Sequence, residues 1–234
     1  MANSPNYNGI LRAYENKKHD LELFMKAVES FFRLHPVLNR KEAPYIHSIK
    51  SRFKDSDHLK DKIKRKHKDG ELVTPENLSS KITDLIGVRV LHLYQEQLRE
   101  IHEAIIEKVK SGDWKFRELP KVYSWDPESK PFYQELNLKI EIKPSFYTSV
   151  HYVVTPNNKS TQVCCEIQVR TLFEEIWGEI DHTINYPHTT NNISCKEQLR
   201  VLSKLVSTGT RLADSIFRTY KLGIQITAST RKKR

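Results

Sequence analysis

In Glu166-Ile-Gln-Val-Arg-Thr171 a carboxylate, an amide and a guanidinium recur at every second residue. Extended, the segment divides into two faces, with Val163, Cys165, Ile167 and Val169 on one and Glu166, Gln168 and Arg170 on the other. Charged groups beside a core must be paired or solvated, so the polar face is expected to hold a polar ligand. A second constellation lies upstream. Arg52 and Lys54 share one face of a strand, and His58, Lys62 and Arg65, four and three apart, share one face of the helix that follows. Leu59 and Ile63 lie on another face and would anchor that helix, leaving five donors to converge. Like charges at helical spacing repel by a few tenths of a kcal/mol. An anionic ligand that neutralises them is one resolution, and plain solvation is the other.

The remaining candidates are single residues, each with an ordinary structural alternative. Asp84 stands before the apolar strand Leu85-Ile-Gly-Val-Arg-Val-Leu91, where a carboxylate suits a magnesium ion on a phosphate substrate or a simple turn. Tyr147 and His151 share a strand face with Ser149 and Val153. A tyrosine ring there stacks on a base or fills a core, and His151 taken alone fits a half-buried, satisfied histidine. Gly87, inside a strand, marks either close approach of a ligand or tight packing beneath a helix.

These groups need elements to position them. Residues 10 to 33 are predicted as a helix on the stripe Leu21, Phe24, Val28 and Phe31. A strand over 45 to 54 leads into a helix capped by Ser56 or Asp57 and running through Lys66. A short helix over 77 to 83, a strand over 85 to 94 and a helix over 97 to 110 follow, and 114 to 144 reads only as strand pieces. A strand over 147 to 154 turns at Pro156-Asn-Asn-Lys159 into a strand over 162 to 170. Thr171 opens a helix through Asn185, with Phe173, Ile176 and Ile180 on one side, broken at Pro187. A final helix from Cys195 to Lys221 carries Leu199, Leu202, Val206, Gly209, Ala213 and Ile216, a stripe suited to packing on the domain or on a second copy of it.

A chain of 234 residues, 38% apolar and 29% charged, is expected to form one globular domain with helical extensions. No run of about 18 apolar residues is present to cross a membrane. Met1-Ala-Asn-Ser-Pro5 lacks the basic-then-apolar pattern of a signal peptide, so a cytoplasmic location is expected. Cys164, Cys165 and Cys195 are too few for a disulfide framework or a zinc site and are expected as free thiols. The net charge of +10 points to a polyanionic partner, much of it concentrated between Arg52 and Lys68. Arg231-Lys-Lys-Arg234 reads as a disordered tail.

Taken together, residues 45 to 186 resemble the synthetase domain of the RelA/SpoT alarmone synthetases, which move pyrophosphate from ATP to the ribose 3'-hydroxyl of GDP or GTP. The matching segments are Ser51-Arg-Phe-Lys54 with His58, Lys62, Arg65 and Lys66; Asp84-Leu-Ile-Gly-Val-Arg89; Tyr147-Thr-Ser-Val-His151; Glu166 to Thr171; and Trp177 with Glu179-Ile-Asp-His182 and Asn185-Tyr186. The resemblance implies an α/β (α+β) fold, a mixed, mostly antiparallel sheet flanked by helices. It divides into an N-terminal helical segment over 1–40, the synthetase domain over 41–190 and a C-terminal helix with basic tail over 191–234. It implies that Arg52, Lys54, His58, Lys62 and Arg65 hold the ATP phosphates, that Asp84 and Glu166 hold Mg2+, and that Glu166 activates the acceptor hydroxyl. Tyr147 is then the stacking platform for the acceptor base, with Lys143, His151, Gln168 and Arg170 supporting that site.

One loop departs from the family. Where guanosine-using members carry Asn-Gly before the tyrosine, this chain reads Leu136-Asn-Leu-Lys-Ile-Glu-Ile-Lys-Pro-Ser-Phe-Tyr147, with Phe146 in place of the glycine. Lys143 stands for the family lysine, and Phe146 either adds aromatic surface for a base or fills core. Some compact relatives act as toxins on other acceptors, so an adenosine nucleotide or the 3' end of tRNA is the alternative to GDP or GTP. A non-catalytic nucleotide or RNA sensor of the same fold is a third reading, against which the retention of both Asp84 and Glu166 argues. His19-Asp20 has no histidine-rich scaffold upstream, so the family's metal-dependent hydrolase domain is not expected here.

Overall fold

The computed structural model describes residues 5–158, 163–186 and 189–231. Helix α1 (Tyr7–Leu34) starts at Asn6, whose side chain accepts from the Gly9 amide, and it buries Ile10, Tyr14, Leu21, Phe24, Met25, Val28 and Phe32. Phe32, rather than the predicted Phe31, is fully buried; Phe31 packs edge-on against it. Strand β1 (Ser48–Phe53) leads into α2 (Ser56–Lys68). The cap of α2 is Asp55, not Ser56 or Asp57, because its carboxylate reaches the free amides of Asp57 and His58. Then come α3 (Leu78–Lys81), β2 (Ile86–His92) and α4 (Gln97–Lys110). The segment read as strand pieces contains β3 (Trp114–Tyr123), α5 (Lys130–Glu135) and β4 (Lys139–Glu141). The chain continues through β5 (Ser149–Pro156), β6 (Cys165–Thr171), α6 (Leu172–Asn185) and α7 (Ile193–Arg231). Thr171 caps α6 in a capping box with Glu174, as its position before the helix predicts. Tyr147 lies just before β5 rather than on it. Lys159, Gln162, Pro187 and the last three residues of the basic tail fall outside the described residues, and Arg231 closes α7 instead of opening a tail.

The six strands form one sheet in the order β1-β2-β6-β5-β3-β4, mixed but mostly antiparallel, with β2–β6 and β3–β4 parallel. On one face Ile86, Val88 and Val90 of β2, Cys165, Ile167 and Val169 of β6, and Val150, Tyr152 and Val154 of β5 join the buried side chains of α1 and α4 in one core. Each such side chain taken out of water contributes about 1.5–3 kcal/mol. The Tyr152 hydroxyl is satisfied within that core by His102 Nδ1 at 2.9 Å.

Helix α7 packs through α6 on the other side. Leu199 and Val206 of its predicted stripe are buried, but Ile216 is 57% exposed and shares an outward row with Leu205, Leu212 and Tyr220. The buried positions alongside Leu199 and Val206 are Ser203 and Thr210. They face polar partners: Ser203 donates to the Phe146 carbonyl, Thr210 meets the Thr171 hydroxyl, and the neighbouring Ser207 and Arg211 both reach Asp126. A seam built of hydroxyls leaves no hydrophobic period to read. The three cysteines are free, Cys164 and Cys165 buried, and among the described residues no helix is long and apolar enough to cross a membrane.

Candidate active site

Register, more than sequence spacing, assembles the site. Across the sheet Arg52 pairs with Gly87, Gly87 with Glu166 and Glu166 with Val153. The next row but one on the same face is Lys50, Arg89, Gln168, His151 and Lys121. Residues directly opposite on paired strands present their side chains together, so polar side chains of neighbouring strands share one face with the Glu166 carboxylate. Lys50, Arg52, Gly87, Arg89, Glu166 and Gln168 form the floor of a cavity of about 520 Å³, walled by Gly178, Glu179 and His182 of α6 and by Tyr186 at its end. Gly87 is not tightly packed: an added Cβ would lie 3.7 Å from the Glu166 carbonyl, an ordinary contact. Its missing side chain leaves the floor open between Arg52 and Glu166.

Glu166 is held from two sides, by His151 Nδ1 at 3.0 Å on one oxygen and by the Gln168 amide at 2.7 Å on the other. Burial alone would raise its pKa; the His151 hydrogen bond and charge, Gln168 and Lys62 outweigh it and hold the carboxyl at about 2. His151 is itself fixed by the Tyr147 hydroxyl at 3.0 Å from Nε2. Asp84 receives Lys54 on one oxygen and Lys62 on the other, both at 2.8 Å. Burial pushes Asp84 upward, but those two ammonium groups bring it below the usual aspartate value.

The five predicted donors therefore do not converge on one spot. Lys54 and Lys62 meet on Asp84, and Arg52 lines the cavity. His58 packs edge-on to Tyr186 at 4.0 Å between centroids, while Arg65 is exposed and bonds its own helix at the Asp61 carbonyl. Tyr147, Gln168 and Arg170 line the same cavity as Arg52, whereas His151 and Lys62 line a second cavity on the other side of Glu166. Arg170 is 3% exposed and pairs with Glu175 at 2.8 Å.

Lys143 is lodged over two rings, 3.7 Å from the centroid of Tyr123 and 4.7 Å from that of Tyr147. Each such contact is worth about 0.5–2 kcal/mol depending on desolvation. The turn that carries it ends at Phe146, whose amide donates to the Lys143 carbonyl and whose φ of 64° is left-handed. A glycine adopts that conformation freely, whereas a bulky side chain there is strained by about 1–3 kcal/mol. Stacking on Trp125, 5.0 Å between centroids at 16°, and the Ser203 hydrogen bond hold it.

Sequence reasoning gave no role to Glu175, which gathers Lys50, Arg89 and Arg170 at 2.8–2.9 Å, nor to Glu179, which takes Arg89 at 2.7 Å. The alternation Lys50, Arg52, Lys54 and the pair Gly87, Arg89 put these cations on the polar face, but their acidic partners come from a helix some 85 to 125 positions on.

The oxygen donors suit one class of metal. Asp84 and Glu166 both line the main cavity, and among the described residues no cluster of three or more His, Cys, Asp or Glu is arranged as a metal cage. Magnesium is commonly held by one or two carboxylates together with substrate phosphates, so the pair fits that ion and does not fit an all-protein zinc centre.

Comparison with known proteins gives the family and the fold. A GTP pyrophosphokinase, YwaC of Bacillus subtilis (strain 168), is 27% identical over 142 residues, 60% of this chain and 59% of that protein; the chain thus matches less than two thirds of that relative's length. Among solved structures, small alarmone synthetase 1 of Bacillus subtilis bound to its product pppGpp superimposes with a TM-score of 0.66 at 19% identity, over 86% of this chain and 93% of the other. A GTP pyrophosphokinase family protein from Streptococcus pneumoniae gives a TM-score of 0.64 at 18% identity, over 94% and 97%. At such identities the two superpositions establish the fold. The family described as the region found in RelA / SpoT proteins matches residues 51–191, the stretch that contains every strand and the whole cavity floor except Lys50 and the start of β1; the chain belongs to the RelA/SpoT family.

Proposed function

We propose that this chain is a pyrophosphokinase that moves the β,γ-pyrophosphate of ATP to the ribose 3'-hydroxyl of GDP or GTP, making (p)ppGpp and releasing AMP. The observation that carries the reading is that Glu166 lines two cavities at once. A displacement with attacking and leaving oxygens in line needs donor and acceptor on opposite sides of one centre. The larger cavity, with Arg52, Arg89 and the Tyr186 ring, suits ATP and also holds Tyr147, Gln168 and Arg170 of the expected acceptor site; the smaller, with His151 and Lys62, extends the acceptor side past Glu166. The bond formed joins the 3'-oxygen to the β-phosphorus, and the bond broken is that from the β-phosphorus to the oxygen bridging it to the α-phosphate. Glu166 takes the hydroxyl proton, while Arg52, Lys54 and Lys62 offset the phosphate charge. Asp84 and Glu166 are the residues that would hold Mg2+, which supplies further charge neutralisation on the triphosphate.

The names of the similar proteins support a guanosine acceptor. Incubation with labelled ATP and, separately, GDP, GTP, ADP and tRNA tests it. Labelled (p)ppGpp is the expected product; label on ADP or on tRNA alone would move the acceptor to the alternatives, and no transfer to any would leave a sensor. The outward row of α7 is proposed to meet a second copy of the chain, which light scattering checks.

A further inference from the structure

Helix α7 grips the turn before Tyr147 from outside the transfer site. Ser203, 3% exposed, donates to the Phe146 carbonyl at 3.0 Å, and one turn earlier the Arg200 guanidinium lies 5.7 Å from the centroid of the Phe146 ring. On the same helix face Ser207 and Arg211 reach Asp126, the neighbour of the Trp125 ring that stacks on Phe146. Arg200, Ser203, Trp125 and Phe146 line neither of the two cavities that meet at Glu166. We propose that Ser203 is a positioning residue for the transfer reaction: by holding the Phe146 carbonyl it fixes the turn that aims the Tyr147 side chain. The proposal rests on the transfer reading of the site.

The backbone shows why a brace is needed. Among the described residues Asn137 and Phe146 are the two non-glycine residues at positive φ. Asparagine visits the left-handed region routinely, but an aromatic residue stays there only when its surroundings over-determine it. Phe146 is the last residue before Tyr147, so rotation of the peptide that joins them re-aims the Tyr147 ring. That ring has little freedom to spare: its hydroxyl stands 3.0 Å from His151 Nε2, and His151 Nδ1 stands 3.0 Å from Glu166. A path thus runs from Ser203 through the Phe146 carbonyl, the Tyr147 hydroxyl and the His151 ring to the reacting carboxylate. The same need accounts for a serine at a buried position of α7, since an apolar side chain there removes the donor to that carbonyl. A glycine at 146 adopts the left-handed conformation freely and makes the brace dispensable; the phenylalanine makes it necessary.

The test is a double-mutant cycle on the full chain, Ser203→Ala and Phe146→Gly singly and together, read as the KM for GDP and for ATP. Ser203→Ala is expected to raise the KM for GDP about three- to tenfold and leave that for ATP within about twofold. In the Phe146→Gly background the same serine substitution is expected to change the KM for GDP by less than about twofold. A partly unfolded sample lowers kcat but leaves KM in place, so lost folding does not imitate this pattern. Thr210→Val, which takes from the α7 seam a hydroxyl that meets Thr171 rather than the turn, is expected to leave the KM for GDP near that of the wild type. An unchanged KM in Ser203→Ala overturns the proposal. So do equal factors in the two backgrounds or an equal rise in Thr210→Val, either of which makes Ser203 ordinary packing of α7. Hydrogen exchange of the Phe146 amide, which closes the turn on the Lys143 carbonyl, reads the brace without turnover. Exchange about three- to tenfold faster in Ser203→Ala, in a chain that transfers nothing, upholds the brace and removes the transfer reading; an unchanged rate removes the brace.

Discussion

Two glutamates eight positions apart, Glu166 on the cavity floor and Glu174 in the seam beneath α7, are driven in opposite directions by the same burial. Desolvation raises both. At Glu166 a histidine, an amide and a lysine answer it and the pKa falls to about 2. At Glu174 the Thr171 amide and hydroxyl answer it only in part, and the pKa rises to about 7. The difference teaches that donors, not depth, decide whether an enclosed carboxylate keeps its charge. It also shows what keeps the floor carboxylate charged: with its carboxyl at about 2, Glu166 is ionised at neutral pH.

The sharpest way to break this contrast is at Glu166. Glu166→Gln is expected to reduce turnover by about 10²–10⁴-fold while nucleotide affinity, read by calorimetry, stays near that of the wild type. Comparable turnover in that variant would falsify its role as the base. Next in size is Arg170→Leu, which strands Glu175 in a buried position and is expected to cost about 3 kcal/mol in urea unfolding, Lys50 and Arg89 limiting the loss.

Smaller effects separate the two glutamates by pH. Glu174, raised above its unfolded value of 4.5, is neutral in the fold at low pH, so its contribution is full below 4.5 and is lost as pH climbs from 4.5 to 7. Glu166, depressed, contributes above 4.5, and that contribution is lost as pH falls from 4.5 to 2. Glu174→Gln is therefore expected to flatten the decline in stability between pH 4.5 and 7 and leave the acid side unchanged; a variant with the wild-type slope throughout would show that the seam carboxyl is not the cause. Least in size is Phe146→Gly. Relief of about 1–3 kcal/mol of backbone strain is set against the lost Trp125 stack and glycine's entropy, so the thermal midpoint should move by only a few degrees.

What could be read beforehand follows from how local each cause is. The two-faced β6 strand, the Thr171 cap and the ends of α4 are written in neighbouring residues, and each stands where its spacing places it. The cap at Asp55 escaped because three adjacent side chains, Asp55, Ser56 and Asp57, all qualify and only the backbone chooses between them. The Glu175 hub and the inward Ser203 and Thr210 escaped for a longer-range reason. Their partners sit on other elements, so no periodicity marks them. Convergence of the five basic residues was likewise overread from one helix face, since Arg65 ends a turn too far on and returns to its own backbone.

The strand order carries a last consequence, for the history of the chain rather than its resting state. β6, the final strand in sequence, is not at an edge but lies between β2 and β5, and its pairing of Glu166 with Gly87 joins residues about eighty apart. Contacts so distant close late, because the loop entropy precedes the reward. During synthesis Arg52, Lys54, Lys62 and Asp84 are present long before Glu166 exists. The growing chain holds those four residues first, and the site proposed for transfer is complete only when the last strand enters the middle of the sheet.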